Sequence, residues 1–155
     1  MQRYVNHGSP DCIKDFIAIG GGSKMGATLE RFARFTFTQL KGRKNTGHDH
    51  TFKTYKIEQK SSGHWAEEDY KWQHIEANHD WDVLLLCGID YHSIKFWIMT
   101  RKIFQEMLEK GKITNQGNKE KDSSQGVWFN YLDVKEGLVE VQTDAQLEEA
   151  ITVDE

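Results

Sequence analysis

A chain of 155 residues, 37% hydrophobic and 28% charged, can enclose one core of ordinary size, so a single domain spanning 1–155 is expected. No apolar run approaches the roughly 20 residues of a bilayer span, Asp11, Lys14 and Asp15 interrupt the start where a secretory signal would be apolar, and Cys12 and Cys87 form no CxxC; these features argue against membrane insertion, secretion, a disulfide framework and a thiolate zinc site, and for an intracellular, cytoplasmic protein with two buried thiols. The net charge of −4 is unevenly spread: the acidic C-terminal segment 132–155 holds eight Asp or Glu against Lys135 alone, which leaves the rest of the chain positive, and six Lys or Arg crowd the stretch from Lys41 to Lys60 against Asp49 and Glu58, a field suited to a phosphate backbone.

An N-terminal helical segment, 1–22, is expected from Ser9-Pro10-Asp11, which has the order of a cap, a first-turn proline and an early acid, with Gly20 to Gly22 as its stop. Ser23 opens a second helix reaching about Leu40, with Met25, Leu29, Phe32, Phe35 and Leu40 on its apolar stripe and Phe37 off it. Lys41 to His50 reads as a loop, and Phe52, Tyr55 and Ile57 begin a strand that carries Glu58 and Lys60. Ser61 to Asp80 has no clean period. The unbroken run WDVLLLCGID suits a strand covered on both faces, and the alternation of Ile94, Phe96 and Ile98 after a turn at Asp90 to Ser93 predicts its hairpin partner. Thr100 can cap a helix with Ile103, Phe104, Met107 and Leu108 on one face and Gly111 as its stop; Asn115 to Gln125 is a polar loop, Val127 to Leu132 a strand, and Thr143 to Gln146 a capping box opening a last acidic helix. This order fits an α/β or α+β fold with a mixed sheet flanked by helices.

The chemistry centres on Asp49 followed nine residues later by Glu58-Gln59-Lys60. Strand alternation puts Glu58 and Lys60 on one face. Two carboxylates brought within about 4 Å repel by roughly 4 kcal/mol at an effective dielectric near 20, which a divalent cation removes. Oxygen ligands of this kind suit Mg²⁺, and the neighbouring ammonium of Lys60 can meet charge developing on a phosphate or orient a water. By chance alone such a pattern also occurs on solvent-exposed strands. His48 and His50 beside Asp49 suggest a transition-metal site less well, because adjacent residues rarely converge on one ion and loop histidines are ordinarily solvated. GGGSKMG lacks the spacing of a phosphate loop. Trp81 and Trp97 read as core, Trp65 and Trp72 as surface contacts that could stack on bases.

The segment resembles the catalytic core of the PD-(D/E)XK nuclease superfamily, in particular small restriction-endonuclease-like proteins. The resemblance rests on Asp49, Glu58 and Lys60, on Glu30 in the helix stretch GATLERFARF, on the KSS of Lys60 to Ser62, on WQHIEANHDWDVLLLCGID and on FWIMTRKIFQEML, and it covers about Ser23 to Tyr131. No proline precedes Asp49, a departure that removes no chemistry. The resemblance implies a restriction-endonuclease-like core and a metal-dependent endodeoxyribonuclease that hydrolyses phosphodiester bonds, with restriction-type cleavage of double-stranded DNA by a homodimer as the leading form. It implies that Asp49, Glu58 and the backbone carbonyl of Gln59 bind Mg²⁺, for which Mn²⁺ can substitute, that Lys60 serves the attacking water, and that Glu30 and Gln73 support the site. A nicking, repair or junction-resolving nuclease stays open beside the restriction-type form, as does an RNA substrate, and the alternative from a different class is a non-catalytic DNA-binding or protein-interaction module that keeps the fold.

Overall fold

A computed structural model describes residues 1–20, 22–42, 48–115 and 126–155, so most of the expected polar loop Asn115 to Gln125, together with Arg43 and Lys44, lies outside the described residues. The apolar run forms β5 (Val83–Ile89), in which every residue is buried. Val83, Leu85, Cys87 and Ile89 face one hydrophobic cluster while Leu84 and Leu86 face another, which is why the strand shows no alternation in sequence. Its hairpin partner β6 (Ile94–Thr100) runs antiparallel to it, with Val83 opposite Thr100 and Ile89 opposite Ile94, as the alternation predicts. On the other side, β3 (Tyr55–Ala66) runs parallel to β5 with Ile57 opposite Val83 and Gly63 opposite Ile89.

These strands form the middle of an open mixed sheet. β4 (Asp69–Ile75), β8 (Val127–Asn130) and β7 (Thr114–Asn115) extend it beyond β3, and β9 (Val139–Val141) closes the opposite edge beside β6. A short β2 (His50–Phe52) pairs with the first residues of β3, and β1 (Lys41–Gly42) pairs with β2. Helices α1 (Gln2–Asn6), α2 (Asp11–Ala18), α3 (Ser23–Thr36) and α6 (Asp144–Ile151) supply Tyr4, Ile13, Leu29, Ala33, Leu147 and Ile151 to the first cluster. The second cluster joins Phe104 and Met107 of α4 (Arg101–Glu109) and Val134 of α5 (Tyr131–Val134) to Trp72, Trp97 and Phe129. The result is a mixed α/β architecture with helices on both faces of the sheet. Among the described residues no helix is long and apolar enough to cross a membrane.

Local chemistry accounts for most element ends. Thr100 accepts a hydrogen bond from Ile103 N, and α4 stops in a Schellman turn in which Lys112 N bonds Met107 O and Gly111 N bonds Leu108 O, with Gly111 at φ +73°. At α6 both arms of the expected capping box form between Thr143 and Gln146.

Several expectations are corrected. The proline is the cap of α2 rather than its first residue, and α3 ends at Thr36, four residues before Leu40. Because the chain turns extended at Phe37, that ring swings into the core (0% exposed) edge-on to Phe96, while Phe35, assigned to the stripe, stands 84% exposed. Cys12 is exposed and only Cys87 is buried. The strand expected from Phe52 is a tight hairpin turning at Lys53, which sits at φ +52°. The aperiodic stretch after Lys60 is the end of β3 plus β4, and the strand from Val127 ends at Asn130, where α5 begins. Trp72, expected on the surface, is fully buried and donates its indole N–H to Cys87 O at 3.0 Å. Trp81 and Trp97 are core residues as expected.

Candidate active site

The long strand β3 changes partner part-way along one edge, and the site lies where it does so. Its residues Tyr55 to Ile57 pair with β2, and pairing with β4 begins only at His64 opposite Tyr70. Between them the edge from Glu58 to Gly63 carries no strand partner on that side among the described residues. Asp49 fills the start of the gap. Its amide donates to Ile57 O at 2.8 Å, and its Oδ2 accepts the amide of Gln59 at 2.8 Å, so the carboxylate continues the ladder by one step in place of backbone. Residues two apart on a strand present their backbone groups to the same edge, so the carbonyl of Gln59 faces the gap as well.

Glu58 and Lys60 share the other face of β3 from the Gln59 side chain, with Lys60 Nζ 3.4 Å from Glu58 Oε2 and side chains 24% and 14% exposed. The Glu58 carboxyl also meets Asp49. Burial, followed by the charge of Asp49, pushes the Glu58 carboxyl up to about 7 against the pull of Lys60. Glu30 enters from α3, which packs on β3. Burial first and Asp49 second push its carboxyl up to about 7 too, with Arg34 and Lys60 opposing. Two carboxyls raised toward neutrality around a third are the electrostatic signature of a site short of positive charge.

All six residues expected from sequence, Glu30, Asp49, Glu58, Gln59, Lys60 and Gln73, line one cleft of about 800 Å³. Gln73 is exposed on β4 and forms part of the wall facing β3. The first turns of α3, from Ser23 to Ala27, form another wall, which brings backbone amides of a helix N-terminus to the same space.

Sequence reasoning missed the support behind this edge. His50, expected to be solvated, is 0% exposed. Its Nδ1 lies 3.1 Å from Arg34 Nη1 and its Nε2 lies 2.6 Å from Gln59 Oε1. A guanidinium only donates, so Nδ1 accepts and Nε2–H donates to the Gln59 amide oxygen, which fixes a neutral tautomer. Burial first of all lowers the pKa of His50 and keeps it in that form. Arg34 sits one helical turn after Glu30, so α3 presents Glu30 to the cleft and ties itself to the Asp49 hairpin through the next turn. The available signal was the adjacency of Asp49 and His50 at the start of an extended segment, where neighbouring side chains point to opposite sides: one faces the cleft and the other is buried. The same alternation removes His50 as a partner of Asp49 in a transition-metal site.

Among the described residues no three His, Cys, Asp or Glu side chains converge closely enough to cage an ion by themselves. The donors present are two carboxylates in contact and a backbone carbonyl on the same edge, all oxygen. That set matches a hard divalent ion that keeps several waters and completes its shell with substrate phosphate, as Mg²⁺ commonly does. Comparison with family models, with curated proteins and with solved structures gives no significant match for this chain.

Proposed function

We propose that this chain is a Mg²⁺-dependent endodeoxyribonuclease with a restriction-endonuclease-like core, hydrolysing phosphodiester bonds of DNA. The observation that carries the reading is the meeting of Asp49, Glu58, Lys60 and Glu30 in one cleft at the gap in the β3 edge. Asp49, Glu58 and the Gln59 carbonyl are the groups that hold the ion. When bound, Mg²⁺ or Mn²⁺ supplies Lewis-acid polarisation of the scissile phosphate and acidifies a coordinated water.

The protein's own groups do the rest. Lys60 places an ammonium beside Glu58, where it stabilises charge on the phosphate oxygens as water attacks in line and the 3′ oxygen leaves, giving a 5′-phosphate product. Glu30, with its carboxyl near 7, accepts a proton at neutral pH and is matched to a water-derived proton. Gln73 offers amide hydrogen bonds to the nucleotide from the opposite wall, and the amides at the start of α3 favour an anion there. The Arg34–His50–Gln59 chain holds the hairpin so that Asp49 and Glu58 keep their spacing. One chain carries one such centre, so a single copy cuts one strand, and a restriction-type cut of both strands of a duplex would need a homodimer.

The test is conversion of supercoiled plasmid to nicked and linear forms with Mg²⁺, beside Lys60→Ala and Asp49→Asn. Both variants are expected to lose roughly 10²- to 10⁴-fold in rate. Cleavage that persists in both refutes the site. Binding of DNA by the wild type without cleavage under any divalent ion favours the non-catalytic DNA-binding module instead.

A further inference from the structure

Trp65 is 50% exposed at the far end of the cleft from Asp49, and its ring is held in place. The indole Nε1 donates to Asp69 Oδ2 at 3.0 Å, and Asp69, 4% exposed, uses its other oxygen to accept the amides of Leu132 and Tyr70 at 2.9 and 3.0 Å. A carboxylate buried to this degree and tied to β4 and α5 is a rigid anchor. The register slips between His64 and Ala66, a bulge of the kind that re-aims one side chain out of a sheet. Exposure of a large apolar ring combined with such fixing means that binding to its open face costs little ordering entropy.

Lys71 completes the feature. Its ammonium lies 4.2 Å from the ring centre of Trp128 and 5.5 Å from that of Trp65, so two indoles hold it, and among the described residues no carboxylate pairs with it. A lysine steadied by aromatic faces keeps its full charge for an anion. Lys71 and Trp65 both line the cleft that holds Lys60. A ring surface beside an uncompensated cation is the combination that single-stranded nucleic acid uses: a base on the ring and its phosphate on the ammonium.

We propose that Trp65 and Lys71, braced by Trp128 and Asp69, form a subsite for an unpaired nucleotide of the DNA substrate. The choice of DNA rests on the nuclease reading of the cleft. Lys60 and Trp65 stand five residues apart along β3, about 16 Å of strand, a span of a few nucleotides. A base within an intact duplex has both faces covered by its neighbours and offers none to an indole. The subsite therefore favours DNA with a single-stranded stretch a few nucleotides from the cut, such as a flap, gap, overhang or branched structure, over uninterrupted duplex.

The experiment measures binding of the full chain to labelled oligo-dT and to a blunt duplex of equal length in EDTA, where hydrolysis does not enter. Oligo-dT is expected to quench tryptophan fluorescence and to bind roughly 5- to 150-fold more weakly to Trp65→Ala, the range for loss of one stacked base. Trp65→Phe should retain most of the affinity, and Lys71→Ala should weaken binding and reduce the salt slope by about 1 while Lys71→Arg does not. Duplex binding should change little in Trp65→Ala. Unchanged oligo-dT affinity in Trp65→Ala and Lys71→Ala overturns the subsite, as does an equal loss for duplex and single strand. Tighter binding of oligo-U than oligo-dT through the same residues overturns its assignment to DNA. The nuclease reading fails separately: inactive wild type with Trp65-dependent oligo-dT binding leaves the subsite standing, and active wild type with Trp65-independent binding leaves the nuclease standing.

Discussion

Removing the charge of Glu58 should stabilise the metal-free protein at alkaline pH. The carboxyl is raised from the ordinary 4.5 to about 7, chiefly by burial and by Asp49, with its side chain only 14% exposed. At about 1.4 kcal/mol per pH unit, keeping Glu58 ionised above neutrality costs the fold about 3 kcal/mol. Between pH 4.5 and about 7 the folded chain binds this proton more tightly than the unfolded chain does, so stability falls as pH rises through that window. Glu58→Gln keeps the shape, ends the repulsion with Asp49 and leaves Lys60, 24% exposed, able to reach water. Urea unfolding in EDTA should find the variant and wild type about equal near pH 5 and the variant more stable by about 2 to 3 kcal/mol near pH 8. Added Mg²⁺ at the higher pH should recover the deficit in wild type and do nothing for the variant. A variant less stable than wild type near pH 8 in EDTA would refute the electrostatic reading of the site.

Plasmid nicking should rise with pH up to and somewhat above 7, because Glu58 and Glu30 must lose their protons to bind an ion and to accept one from water; a rate independent of pH below 7 contradicts this. His50→Leu comes near the volume of the imidazole but strands the Gln59 oxygen and the Arg34 donor, and calorimetry should record a loss of about 1 to 3 kcal/mol together with slower nicking, although His50 does not line the cleft. Gly88→Ala would set its Cβ 2.7 and 2.8 Å from Tyr70 and 2.9 Å from Trp97, and rigid rings on both sides predict a cost of about 1 to 3 kcal/mol or more, read as a lower thermal midpoint. Thr143→Ala breaks a complete capping box and should cost about 1 kcal/mol in urea unfolding.

What the sequence determined by itself was what local periodicity and short-range chemistry can carry. The seven-residue apolar run of β5 reads as a strand covered on both faces because it is too short for an ordinary buried helix and is bounded by turn residues. The alternation of β6, the Thr100 and Thr143 caps and the Gly111 stop are settled within a few residues of themselves. The spacing of Asp49, Glu58 and Lys60 marked the cleft for the same reason, since strand alternation puts the last two on one face. Tertiary structure decided what depends on partners far along the chain. Phe35 and Phe37 exchanged places because α3 stops at Thr36 and the extended turn after it meets Phe96, 59 residues away in sequence. Ser61 to Asp80 carried no period because β3 passes from one neighbour to another and Trp72 is covered by residues of β5, β6 and β8 that lie far along the chain. That same change of partner opens the edge on which Asp49 caps Gln59. Pairing between distant strands creates that gap, and no short stretch of sequence encodes it.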